Sequence, residues 1–221
     1  MNPRTALFPR LTISLLLSAL ILPACDWVGK RGDGEMTTES RSTADFLAID
    51  ASGAYKIFWS AGAPTLSITC DQNLVSNITT TVVDGKLRIR TKERMRPTHG
   101  VKVVVSSQTL SGARLRGAVD LKASKVTTSN FFIESDGASD VILDGTADNF
   151  TARLRGAGDL NAESFQAKVV EISMMGAAEA KVNATESLIV SIKGAGDVRY
   201  SGNPKTIRKS VAGAGSVRPK K

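Results

Sequence analysis

The sequence has few of the residues that most often carry chemistry or staple small folds. It has two cysteines and one histidine in 221 residues. Once Cys25 is assigned to a leader junction, as argued below, Cys70 has no partner, so a disulfide framework is excluded. The single histidine, His99, sits in Pro97-Thr98-His99-Gly100 with no nucleophile motif beside it. It therefore reads as a loop residue, and a multi-histidine metal site is ruled out. No glycine-rich phosphate loop is present either, and no cofactor is implied. The longest apolar run, Leu11 to Leu22, has 12 residues, well short of the roughly 20 that a spanning helix needs. Aromatic residues make up only 5% of the chain. With so few stacking groups, nucleic acid is not the expected partner, despite a pI near 9.7.

The residues present divide the chain into four parts. Residues 1–24 have the layout of a secretory leader: Arg4 and Arg10 without acids, then the short apolar run. The junction Leu22-Pro23-Ala24-Cys25 resembles a bacterial lipobox. That resemblance implies a diacylglycerol on Cys25, which becomes the new N-terminus; the alternative is an ordinary leader cut after Ala24. Residues 25–45 are rich in Gly, Ser, Thr and charge, and beyond Val28 nearly lack large apolar groups. Such a segment buries too little to offset its ordering entropy and is expected to be a flexible tether. Residues 46–217 are expected to form a single folded domain, with 46–110 less regular than 111–217, and 218–221 a basic tail.

An internal repeat specifies the fold of that domain. Gly117-Ala-Val-Asp120 recurs as Gly137-Ala-Ser-Asp140, Gly156-Ala-Gly-Asp159, Gly176-Ala-Ala-Glu179, Gly194-Ala-Gly-Asp197 and Gly213-Ala-Gly-Ser216, at glycine spacings of 20, 19, 20, 18 and 19. Apolar residues alternate with polar ones on both sides of each glycine: Phe150, Ala152 and Leu154 before one, Val141 and Leu143 after another. Alternation at period two means short strands with one buried face. A coil of about 19 residues built from strand, corner and strand implies an all-β fold, a β-solenoid of parallel rungs stacked ~4.8 Å apart. The glycine supplies the bend, and the acid three residues later is expected to hydrogen-bond amides of its own turn. Asp84-Gly85 is a hairpin signal within the less regular half.

The run of Gly-Ala-Gly-Asp corners resembles the autotransporter-adhesin head GIN domain family of bacterial envelope proteins. So do Tyr55-Lys-Ile-Phe-Trp-Ser-Ala-Gly-Ala-Pro64, Asp71-Gln-Asn-Leu74, Val83-Asp-Gly-Lys-Leu-Arg-Ile89 and the closing Tyr200-Ser-Gly-Asn-Pro-Lys205. The resemblance covers roughly residues 45–217. It implies a right-handed parallel β-helix on the cell envelope, often lipid-anchored, facing the periplasm or the cell surface.

Two constellations are candidates for function. The corner acids Asp120, Asp140, Asp159, Glu179 and Asp197 would stack as a ladder. Like charges about one rung apart either shift their pKa values or recruit a hard cation such as calcium; the simpler reading is that each acid satisfies its turn, with no metal. Lys86, Arg88, Arg90, Lys92, Arg94 and Arg96 occupy strictly alternate positions, which on a strand makes one row of cations. Such a row either protects a solvated edge or meets an anionic lipid or glycan. The expected function is a non-enzymatic, lipid-anchored binding or structural module. The alternatives are a polysaccharide-active β-helix enzyme, which would need a pair of carboxylates across a scissile bond, and a scaffold subunit of a membrane complex.

Overall fold

Apolar–polar alternation continues through most of the chain and leaves the described residues almost no helix. The computed structural model describes residues 29–220. The leader, Cys25 and the final lysine lie outside the described residues. The fold is all-β; the one helical element among the described residues is a single turn at Val75–Asn77.

The chain begins with β1 (Lys30–Arg31) and β2 (Met36–Arg41). Then come β3 (Ala48–Ala61), β4 (Thr65–Asp71), β5 (Ile78–Val83), β6 (Lys86–Thr91), β7 (Met95–Arg96) and β8 (Lys102–Ser107). Two very long strands follow, β9 (Gly112–Ala138) and β10 (Val141–Gly194). The chain closes with β11 (Asp197–Ser201), β12 (Thr206–Ala212) and β13 (Ser216–Pro219). In the second half the pairing is parallel. Phe150 lies beside Phe131 and Gly156 beside Gly137; Val198 lies beside Ala180, and Val217 beside Val198. The same register reaches back to β3, where Gly53 pairs with Gly117 and Lys56 takes the place opposite Asp120.

The corner glycines form a ladder of close backbone approaches. Gly117, Gly137, Gly156, Gly176, Gly194 and Gly213 all have φ between 98 and 137°, a region that L side chains rarely adopt. A Cβ on Gly156 would stand 2.2 Å from the Gly137 carbonyl oxygen, and one on Gly137 would stand 2.3 Å from that of Gly117. Both the bend and the rung spacing therefore require glycine at each step. Inside, one face of the longer strands β3, β9 and β10 is buried, from Ile49 and Ile57 through Leu115 and Leu121 to Val190 and Ile192. Phe131, Phe150 and Phe165 cluster with ring centroids 5.2 to 6.1 Å apart; each such contact is worth about 0.5–1.5 kcal/mol beyond area burial.

The first half departs from the uniform parallel pairing of the second half. β3 pairs in parallel with β9 along one edge, and with β6 and then β8 along the other. Yet β5 and β6 form an antiparallel hairpin, and β4 runs antiparallel to both β2 and β8. The hairpin reverses at Asp84 and Gly85, with φ of 50 and 66°.

Residues 36–41, read from composition as part of a flexible tether, are instead strand β2. An edge strand needs backbone pairing rather than an apolar face, and β2 finds it along β4. Arg41 fixes its end by donating to the carbonyls of Ile78 at 2.6 Å and Val75 at 2.9 Å. The buried Asp71 holds the loop before it, accepting from Gly34 N, Thr98 N and Thr98 Oγ1. Burial alone would raise the Asp71 carboxyl, but these hydrogen bonds outweigh it and hold the group below its ordinary value. The expected basic tail is also docked: Pro219 pairs with Tyr200, and Lys220 donates its amide to Tyr200 O at 2.8 Å.

Candidate functional site

The six alternate cations do not form one row. Lys86, Arg88 and Arg90 project from the outer face of β6, with Leu87 and Ile89 buried between them. The strand ends at Thr91. There Lys92 donates its amide to Asn77 O, and the Asn77 side chain donates to Glu93 O. These bonds bend the chain, so Lys92 and Arg94 lie beyond the sheet. Arg96 belongs to β7, beside Arg31 of β1. Strict alternation in sequence could not reveal that the strand stops halfway.

The cations that remain on β6 continue a wider charged wall. In register, Arg88 stands beside Asp50 and Asp50 beside Arg114; Glu134 stands beside Arg153, and Asp136 beside Arg155. Ion pairs run across the rungs: Arg90–Asp50 at 2.9 Å, Arg116–Asp50 at 3.1 Å, Arg114–Glu134 at 2.5 Å, Arg153–Glu134 at 3.4 Å and Arg155–Asp136 at 3.3 Å. The Arg114 guanidinium, hydrogen-bonded to Glu134, holds that carboxyl below its ordinary value. Seven cations (Lys86, Arg88, Arg90, Arg114, Arg116, Arg153 and Arg155) thus face three acids, and the wall keeps a positive excess. The sequence signal for this was present in the charges flanking each corner at the repeat period, read one rung against the next.

A second basic region is wider than the basic tail read from residues 218–221. From Cys25 to Tyr200 cations and acids balance, whereas the last 21 residues hold Lys205, Arg208, Lys209, Arg218, Lys220 and Lys221 with no acid. Here Arg208 and Lys209 are exposed on β12, and Arg218 lies beside Arg199.

The corner acids do stack, and the carboxylates of Asp120, Asp140 and Asp197 serve the next corner rather than their own turn. Asp120 Oδ1 accepts from Asp140 N at 3.4 Å, and Asp140 Oδ1 accepts from Asp159 N at 3.2 Å. Asp197 takes the Ser216 hydroxyl, and Glu179 lies near Lys181 and Arg199 at 3.7 and 3.8 Å. Among the described residues no group of three His, Cys, Asp or Glu is arranged to hold a metal ion. His99 is exposed in the loop between β7 and β8. Cys70 is buried and unpaired, its thiol pushed up by burial.

A groove of about 500 Å³ has the dimensions of a ligand site, and the sequence reading did not single it out. Thr127, Thr128 and Ser129 line it from β9, and Thr146, Asp148, Gln166, Lys168 and Thr185 from β10. Lys168 pairs with Asp148 at 2.8 Å, and this hydrogen-bonded cation lowers the Asp148 carboxyl below its ordinary value.

A family model described as "Putative auto-transporter adhesin, head GIN domain" matches residues 45–204. The chain belongs to this family. A solved relative, a "putative adhesin" from Bacteroides fragilis NCTC 9343, is 26% identical with a TM-score of 0.72, over 87% of this chain and 100% of its own. Two further "putative adhesin" structures share the fold. That from Parabacteroides merdae ATCC 43184 is 18% identical with a TM-score of 0.51, over 87% of this chain and 99% of its own. That from Parabacteroides distasonis ATCC 8503 is 21% identical with a TM-score of 0.51, over 87% and 100%. No match was found among curated proteins. Membership makes the protein adhesin-like, of an extracellular or envelope type. Among the described residues no helix is long and apolar enough to cross a membrane.

Proposed function

We propose that the protein is a lipid-anchored, non-enzymatic envelope module, wound as a right-handed parallel β-helix, that engages an anionic glycan or lipid surface through its charged wall. The winding is supported by parallel registers in the second half that offset paired strands by about one repeat. The anchor is supported by the lipobox-like junction at Cys25. One observation carries the binding reading: rungs in register gather seven cations against three acids on a single wall. Exposed ion pairs contribute little to stability, about 0–1 kcal/mol each. An excess of unmatched positive charge contributes less still to folding, so a screened anionic partner accounts for it better.

The test is co-sedimentation of the full chain with vesicles of phosphatidylglycerol and phosphatidylcholine, and with an acidic polysaccharide. Lys86→Gln, Arg88→Gln and Arg155→Gln together should remove most of the binding. The matched change of Lys205, Arg208 and Lys209 to Gln should remove less. Loss only in the second variant would move the site to the C-terminal strands and overturn the wall.

A further inference from the structure

The groove lies on a different stretch of each rung from the charged wall, and its chemistry is different. We propose that it is a subsite for a neutral, polyhydroxylated glycan. The reading stands beside the anionic-surface function and does not depend on it.

Three observations build the case. The first is how the groove is made. Pairing between β9 and β10 slips between Leu143 and Gly145, a bulge of the kind that re-aims side chains. Gly145 has φ of 139°, and a Cβ there would stand 2.0 Å from the Val126 carbonyl oxygen. Lys125, beside that contact, holds a left-handed φ of 59° without being glycine. Such residues are strained and persist only where the surroundings enforce them. The groove starts where this slip ends. The second is its support: Phe131, Phe150 and Phe165 pack together in the core within a few residues of the lining, so the hydroxyls stand on a packed wall rather than a loop.

The third is the lining itself. Five hydroxyls (Thr127, Thr128, Ser129, Thr146 and Thr185) and the Gln166 amide supply donors and acceptors in a nearly continuous strip. Two of those hydroxyls already donate to carbonyls, Thr128 to Asn130 O and Thr185 to Ala167 O, which orients their lone pairs. The one charged pair, Asp148 and Lys168, cancels, so the strip carries no net charge to attract an ion. It also places an acceptor and a donor 2.8 Å apart, a spacing matched to adjacent hydroxyls on a sugar ring, one donating to Asp148 and the other accepting from Lys168. No aromatic ring lines the groove, so a sugar would be held by its hydroxyl edge rather than stacked on its face. Four rungs at sheet spacing make a strip about 14 Å long, room for a short oligosaccharide.

Affinity gel electrophoresis of the full chain in mannan, galactan, xylan and β-glucan tests this, with polygalacturonate as the charged comparison. Retardation by at least one neutral polysaccharide is expected, unchanged between low and physiological salt. It should fall at least fivefold in the Asp148→Asn, Lys168→Gln double variant, whose fold is checked by circular dichroism, and persist in the Lys86, Arg88 and Arg155 variant. Absence of retardation in all four neutral polymers overturns the subsite, as does equal retardation of the double variant. Salt-sensitive retardation in polygalacturonate alone overturns the subsite while leaving the charged-wall function standing.

Discussion

Replacing Gly156 by alanine separates the corner ladder from ordinary turn geometry. Gly156 has φ of 114°, and the added Cβ would lie 2.2 Å from the Gly137 carbonyl oxygen, about 1 Å inside van der Waals contact. The backbone strain is worth about 1–3 kcal/mol. Relief of the overlap pushes two rungs apart and weakens neighbouring ladder hydrogen bonds, each worth about 1 kcal/mol net. The sum is about 3–5 kcal/mol. At about 2–4 °C per kcal/mol for a domain of this size, the melting midpoint should fall by about 6–20 °C. Gly85→Ala is the control, because Gly85 has φ of 66° but nothing within 4 Å of the added carbon. It carries the φ cost alone and should lose about 1–2 kcal/mol. Thermal and urea denaturation followed by circular dichroism read both. If Gly156→Ala melts with the wild type, or no lower than Gly85→Ala, the close stacking of corners is wrong.

Other perturbations reach separate parts of the account. Phe165→Ala empties the centre of the aromatic cluster and should cost about 3–5 kcal/mol in urea denaturation. The lowered Asp71 carboxyl stabilises the fold above the ordinary carboxylate range, and that contribution is lost as pH falls through the lowered value. The protection of the Gly34 and Thr98 amides, both donated to Asp71, relative to their intrinsic exchange at each pH should therefore fall in acid; a pH-independent opening of these amides would contradict the assignment. Cys25→Ser should abolish incorporation of labelled palmitate, and a variant that still takes up label would sink the anchor.

The repeat made much of the second half legible, because glycine every 18 to 20 residues and alternation at period two both survive in one dimension. The first half was less legible because its order comes from partners distant in sequence. β2 has no apolar stripe to announce it and is held by β4, Arg41 and Asp71. The basic row misled for a related reason: its alternation is real, but Asn77, far from it in sequence, ends the strand at Thr91. Conversely, Arg114, Glu134 and Arg153 look like scattered charges until the rungs are in register, when they become neighbours. The groove was hidden because it adjoins a register slip at Gly145 rather than a motif.

The claim that the charged wall meets an anionic surface is tested most directly by the salt dependence of binding. The full chain would be titrated onto vesicles rich in phosphatidylglycerol across a range of sodium chloride concentrations. Exposed charge contacts are screened over a Debye length of about 8 Å at physiological ionic strength. The account predicts that affinity falls steeply with rising salt, and that removing Lys86, Arg88 and Arg155 flattens the dependence. An affinity that does not change with salt, or a slope the variant leaves intact, would contradict it.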